Sequence, residues 1–163
     1  MHPRPLTGLL SAVALSVCLL SGCAMFRTPQ PGISESELIV MRGRPDRVYQ
    51  EGAHRRLEWS VTQMGQYAYM AEIDADGRMT TFEQVLTDER FASLRPGHST
   101  MEDVIRTVGR VHEMNRRTFD DGETWSYRYK ENGVWDSMIT IYFDRNGVVE
   151  AVGSHMDPLL LRD

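Results

Sequence analysis

Pro31-Gly32-Ile33-Ser34-Glu35-Ser36-Glu37 and Pro96-Gly97-His98-Ser99-Thr100-Met101-Glu102 share the pattern P-G-x-S-x-x-E. Serine followed three residues later by glutamate is the spacing of a capping box. The hydroxyl accepts from the third helical amide and the carboxylate reaches back to the cap amide. Ser34 with Glu37, and Ser99 with Glu102, therefore predict two helix starts. Leu38 and Met41, then Val104, Ile105 and Val108, give each helix an apolar face at helical spacing. Gly43 and Gly109 stop the helices, and Pro45 reinforces the first stop.

Beyond each helix the hydrophobic period changes to two. Tyr67, Tyr69, Ala71 and Ile73 alternate with their neighbours, as do Trp125, Tyr127 and Tyr129, and then Ile139, Ile141 and Phe143. This is the pattern of strands with one buried face. Asp76-Gly77 and Asn146-Gly147 read as two-residue hairpin turns, with strands resuming over 79–86 and 148–153. A short helix is expected after Thr87. Trp59-Ser60 recurs as Trp125-Ser126, and Asp74 recurs as Asp144. Four landmarks in one order, with a slowly growing offset, describe a unit written twice.

The expected fold is α+β. It has two tandem helix-plus-antiparallel-strand repeats, 32–93 and 94–157, with the helices on one face of a single continuous antiparallel sheet and 158–163 as a C-terminal tail. One unit of about 65 residues has a marginal core, and two packed together bury more.

Residues 1–22 differ in kind from the rest. Arg4 is their only charged side chain, and a mostly apolar run covers 9–20. That is the length of a signal-peptide core and too short to span a bilayer. It ends in Leu20-Ser21-Gly22-Cys23, which resembles the bacterial lipobox. The resemblance implies cleavage before Cys23, with a diacylglycerol and an N-acyl chain on that residue as the only covalent additions. Each buried lipid CH₂ contributes about 0.8 kcal/mol, so several chains anchor stably. Residues 23–31 then form the lipidated Cys and a tether containing two prolines. Ala24, not aspartate, follows the cysteine. By resemblance to enterobacterial sorting, this implies the outer membrane, with the domain facing the periplasm.

Composition narrows the rest. The chain has 163 residues, a formal charge of −5 and two cysteines. Without residues 1–22 it carries 17 basic and 23 acidic side chains, so a generally basic nucleic-acid binder is excluded. With Cys18 in the leader and Cys23 lipidated, no disulfide supports the fold. The sequence holds no P-loop, no G-x-S-x-G elbow and no paired-histidine zinc motif. Glu72, Asp74, Asp76, Gly77 and Glu83 imitate a calcium loop. Their flanks are strands, position one lacks its aspartate, and the hairpin reading prevails. No enzyme, metal or cofactor is expected.

The string Leu86-Thr87-Asp88-Glu89-Arg90-Phe91, Leu94-Arg95-Pro96-Gly97, Ser99 to Val104, Val108-Gly109, Trp125-Ser126-Tyr127 and Phe143-Asp144 with Gly147 resembles the SmpA/OmlA (BamE-like) lipoprotein family. Members include the small lipoprotein subunit of the outer-membrane β-barrel assembly machine. The resemblance covers most of 31–152. Two departures stand out: the family commonly has one unit where this chain has two, and Val111 replaces a family proline. The duplicated unit is similar to the fold of secreted β-lactamase inhibitor proteins.

Aromatic residues are the leading candidates for contact. Trp59 and Trp125 occupy repeated positions and read as core. Trp135 has no mate and lies at the polar hairpin Glu131-Asn132-Gly133-Val134, where a large aromatic suits an interface anchor. Tyr67, Tyr69, Tyr127 and Tyr129 join it as candidate partner-binding residues, open between core and exposed sheet face. Arg116-Arg117, with His112 and Asn115, reads as a solvated basic face. The expected role is a non-catalytic outer-membrane lipoprotein that binds envelope proteins, with support of β-barrel assembly implied by the resemblance. An inhibitor of a periplasmic or secreted hydrolase is the alternative from another class, and a lipid- or peptidoglycan-binding module is the third. Replacing Cys23 by Ala should leave the precursor uncleaved and unlipidated. Normal maturation, read by intact-mass measurement, would refute the lipobox reading.

Overall fold

The computed structural model describes residues 28–61, 65–111, 113–118 and 120–157. Cys23, the leader 1–22, most of the 23–31 tether, His112 and the 158–163 tail lie outside the described residues. The first half runs α1 (Glu35–Arg42), β1 (Arg47–Glu51), β2 (His54–Val61), β3 (Tyr67–Ile73) and β4 (Met79–Gln84). The second runs α2 (Asp88–Ala92), α3 (Met101–Val108), β5 (Glu113–Arg116), β6 (Glu123–Glu131), β7 (Trp135–Phe143) and β8 (Val149–Met156).

The expected single sheet is replaced by two. Strands pair in sequence order as β1-β2-β3-β4 and as β5-β6-β7-β8, all antiparallel. Between β4 and β5 the chain forms two helices, and among the described residues no strand pairing joins the sheets. The reason lies in β3, Tyr67-Ala68-Tyr69-Met70-Ala71-Glu72-Ile73. Ala71 and Ile73 pack with Leu38 of α1, Leu57, Trp59 and Met79. Ala68 and Met70 point the other way. They are 2% and 5% exposed and pack in a second cluster with Val85, Leu86 and Phe91, together with the α3 and sheet-two residues Val104, Val108, Trp125, Tyr127 and Ile141. The first sheet is thus covered on both faces, and the second half lies against its back rather than at its edge.

The helix starts show a one-residue correction. In the first half, Gly32 N–H donates to Met79 O and Met79 N–H to Ile33 O, and Ser34 is the next residue and the cap. Its capping box with Glu37 is as expected. In the second half, Gly97 N–H donates to Val149 O, but Val149 N–H donates to Ser99 O. One extra residue is accommodated there, so the cap is Thr100 and its box partner is Asp103. The Ser99 hydroxyl instead accepts from Arg95 N–H at 2.9 Å, and Glu102 pairs with Arg106 at 2.7 Å. With Ser34 matched to Thr100, the spacing between halves is then constant through Gly43 and Gly109 to Trp59 and Trp125.

The hairpin turns are also longer by one residue than expected. Asp74 N–H donates to Arg78 O and Gly77 N–H to Asp74 O, with Gly77 at φ 76°. This is a three-residue loop ending in a left-handed glycine. Asp74 Oδ1 accepts from the amides of Asp76 and Arg78, and Asp144 Oδ1 likewise from Asn146 and Val148. These carboxylates serve their own turns. Hydrogen bonds from the Val148 amide above all hold Asp144 below the usual carboxylate range. A bulge follows each turn, at Thr80 and at Glu150.

The halves are fastened at the C-terminal end of α3. A helix leaves its last carbonyls without intrahelical donors. Arg56 of β2 donates to Arg106 O at 3.3 Å, and Arg90 of α2 donates to Thr107 O at 3.1 Å. The Tyr127 hydroxyl donates to Gly109 O at 3.0 Å. The next amide, Arg110 N–H, donates to Glu58 Oε1 at 3.1 Å, and Tyr49 donates to Glu58 Oε2 at 2.6 Å. Glu58 is 1% exposed. Burial, and then the Glu58 charge, push the Tyr127 phenol far above its ordinary value, so it remains a donor. Tyr127→Phe keeps the ring and removes the donor to a buried carbonyl. It should cost about 1–3 kcal/mol of unfolding free energy, measured by urea denaturation; an unchanged midpoint would dissolve this account of the joint.

Candidate functional site

The site follows from a mismatch of lengths. Strands β6 and β7 are nine residues each, whereas α2 is five. Phe91 of α2 meets Tyr127 and Tyr129 edge-on, at 5.7 and 5.1 Å between ring centroids. That contact is the limit of the helix cover. Alternation puts Glu131 on the same face, and Trp135 is its cross-strand partner. Met156 pairs with Ser137 on this face as well. Beyond Tyr129, therefore, the core face of the second sheet continues without a roof. Trp135 is 67% exposed, Met156 60% and the adjoining Val134 66%. Trp135 and Met156 border a shallow groove with Ser137, Ser154 and His155.

The tip that carries Trp135 is braced. Asn132 and Gly133 both take positive φ, at 49° and 72°, and Val134 N–H donates to Glu131 O at 3.0 Å. This is the turn that matches the twist of a hairpin. Asn132 N–H donates to Asp88 Oδ2 at 2.7 Å, which ties the tip to α2. Asp136 forms an ion pair with Lys130 and accepts from the Gln66 amide of the first half. The Lys130 bond, aided by Gln66, holds the Asp136 carboxyl below the usual range. Ser137 donates to Glu131 at 2.7 Å. An indole on a fixed tip loses little freedom when a partner covers it, which is the property of an interface anchor.

The other aromatic candidates divide. Tyr127 and Tyr129 are 0% and 2% exposed, so they present no surface to a partner; this corrects the open reading of both. They face inward because Phe91 and α3 cover that side of β6. Tyr69 is half-buried in a stack, with Phe82 parallel at 5.3 Å and the Arg42 guanidinium 5.4 Å from its ring centre. Tyr67 is 37% exposed and lines a separate cleft with Thr87, Asp88, Lys130 and Gly133. Trp59 and Trp125 are core, at 9% and 5%. Arg117 is engaged internally, with Glu150 at 2.6 Å, Asp120 at 2.9 Å and Phe143 O at 2.8 Å. Reading the sequence missed Val134 and Met156 as companions of Trp135. The signal for Met156 was weak, because an edge strand exposed on both sides has no alternation to read.

Among the described residues, no group of three or more His, Cys, Asp or Glu is placed to hold a metal ion. Among the same residues no helix is long and apolar enough to cross a membrane. Trp135→Ala should change unfolding free energy by no more than about 0.5 kcal/mol, the range of surface substitutions, whereas Trp125→Ala should cost about 3–5 kcal/mol. Comparable losses in urea denaturation would show that Trp135 is a structural residue.

No curated protein matches the chain. A solved structure from Streptococcus mutans, named as a candidate β-lactamase inhibitor protein, aligns over 88% of this chain and 96% of its own, at 13% identity. Its TM-score is 0.33, too low to carry an argument about fold or function. The informative match is to a family model described as the outer membrane protein assembly factor BamE domain. It covers residues 83–153. From the end of β4 through α2, α3 and β5–β7 into β8, this chain is similar to the BamE domain.

Proposed function

We propose that this protein is a non-catalytic lipoprotein of the outer membrane, anchored through Cys23, facing the periplasm and supporting the assembly of β-barrel proteins. The observation that carries the reading is the BamE-domain match over 83–153. The same segment contains the only large aromatic residue among those described that is more than half exposed, Trp135. The lipobox-like Leu20-Ser21-Gly22-Cys23 and the short run to Thr28 support tethering close to a membrane. An accessory protein of this kind works by binding, and a braced indole with exposed Val134 and Met156 is a surface suited to it.

Residues 32–93 and 94–157 are, on this view, two copies of one unit. The second keeps the assembly-factor pattern and the first has become its support. The common element order, the constant spacing between matched landmarks and the paired bulges at Thr80 and Glu150 favour duplication. Helix α2 falls within the first copy by this boundary yet packs on the core of the second, and so acts as the connector between them.

The test is affinity purification of the full lipoprotein from gently solubilised envelopes, with mass spectrometry of what is retained. Barrel-assembly components should be recovered near stoichiometry. Trp135→Ala should reduce their recovery by about tenfold or more, as loss of an interface anchor does. Their absence from the wild-type sample would refute the assembly role. Full retention by the variant would move the contact away from Trp135.

A further inference from the structure

Strand β8 ends the second sheet, so one side of its backbone has no strand beside it. At its start that side is already used. Gly97 N–H donates to Val149 O and Val149 N–H to Ser99 O, so the extended chain before α3 lies along β8 there. After the bulge at Glu150 the ladder is regular, from Ala151 opposite Tyr142 to Met156 opposite Ser137. Asp157 N–H then donates to Asp136 O at 3.3 Å, which points that amide into the sheet. In an antiparallel strand successive residues bond to one side and to the other in turn. Met156, Ser154 and Val152 therefore direct their N–H and C=O groups outward. Among the described residues no backbone hydrogen bond reaches those outward groups.

A bare edge is a template for pairing with another chain, and proteins blunt such edges with charge or proline. The other sheet edges here carry charge: Arg47 and Glu51 on β1, Glu83 on β4, Glu113 and Arg116 on β5. Residues 151–156 hold no carboxylate, lysine, arginine or proline, and Gly153 to Met156 are exposed. Alternation puts Val152, Ser154 and Met156 on the face of Trp135, and the last two line the groove beside it. We propose that the outer edge of β8 over 152–156 takes up an extended segment of a partner protein as a further strand, with apolar side chains at alternate positions. The unpaired groups are backbone, and their complement is the backbone of an extended chain. The large side chains of that chain reach over Ser154 and Met156 toward Trp135. A second β8 is a poor mate, because Gly153 leaves no side chain to pack across the pair. This deepens the proposed binding role at the Trp135 groove, on which it rests, by giving the partner a form.

The probe is a short synthetic peptide with lysine at each end, phenylalanine and valine at alternate positions and threonine between them. Added to the mature lipoprotein in detergent, it should slow hydrogen exchange of the Val152, Ser154 and Met156 amides by about tenfold or more, read by NMR. Gly153 and His155, whose amides face β7, should change less. Methylating one alternate set of peptide amides should weaken binding about tenfold, the equivalent of one or two lost hydrogen bonds, and methylating the other set should not. Ser154→Pro removes an outward amide and no ladder bond. It should abolish binding with unchanged circular dichroism, while Ser154→Ala keeps it. Absence of protection even at millimolar peptide would overturn the proposal. So would equal binding of the two methylated forms, because the contact would then run through side chains alone. Protection of the three amides before peptide is added would overturn it too, because the edge would then be covered by the chain itself or, if dilution releases it, by a second copy. None of these outcomes bears on recovery of assembly components from envelopes, so the two readings can fail separately.

Discussion

Everything in this molecule hangs on how the C-terminal end of α3 is satisfied. The helix ends between the back of one sheet and the core face of another, with Val108 and Gly109 buried and Arg106 and Arg110 exposed at the rim. Arg56, Arg90 and Tyr127 supply donors to its last carbonyls from three different elements. The turn that leaves the helix brings Arg110 N–H to Glu58, a carboxylate that would be costly to bury alone. Gly109 has a positive φ of 86°, and a Cβ there would come within 3.1 Å of Glu58 Oε1. Glycine is needed at that point for its backbone conformation and for closeness to the carboxylate. A misplaced α3 would strand several buried polar groups at once, so the joint fixes how the halves meet.

The exposed tip is a consequence of that packing. Once α2 and α3 are committed to the seam between the sheets, no helix remains to cover the far end of β6 and β7. A hairpin of nine-residue strands under a five-residue helix must overhang. The overhang is held by groups from outside the hairpin, Asp88 on one side and Gln66 on the other. The same arrangement that makes the second half depend on the first for its stability also holds Trp135 in place. Structural support and the candidate binding surface are therefore linked through a few hydrogen bonds.

Local chemistry was legible in the sequence, and non-local chemistry much less so. The helices, their glycine stops, the α2 cap at Thr87 and the alternation in β6 and β7 could be read because each is decided among near neighbours in the chain. The second cap was misplaced by one because Ser99–Glu102 and Thr100–Asp103 satisfy the same spacing. Only the hydrogen bond from Val149 to Ser99, which comes from the last strand of the sheet, separates them. The expectation of one continuous sheet rests on the marginal core of a single unit, with Tyr67, Tyr69, Ala71 and Ile73 giving β3 one buried face. Ala68 and Met70 between them carried the opposite message, since a strand apolar on both faces is covered on both. Glu58 had no visible role for the same reason. Tyr127 and Trp135 are both aromatic residues of one hairpin, and alternation gives them the same face. What separates them is the length of a helix elsewhere in the chain.

Two halves with the same order of elements need not be independent in stability. Solenoid repeats meet their neighbours through similar, mainly apolar interfaces, and their free energies add approximately. Here the two halves contribute different polar partners to one partly buried joint. Opening either half exposes unpaired groups in the other, so the pair forms a single cooperative element in the sense used for hydrogen exchange. Such coupling makes the arrangement hard to reverse in evolution: neither half can drift or be deleted on its own without leaving the other with an unsatisfied interior.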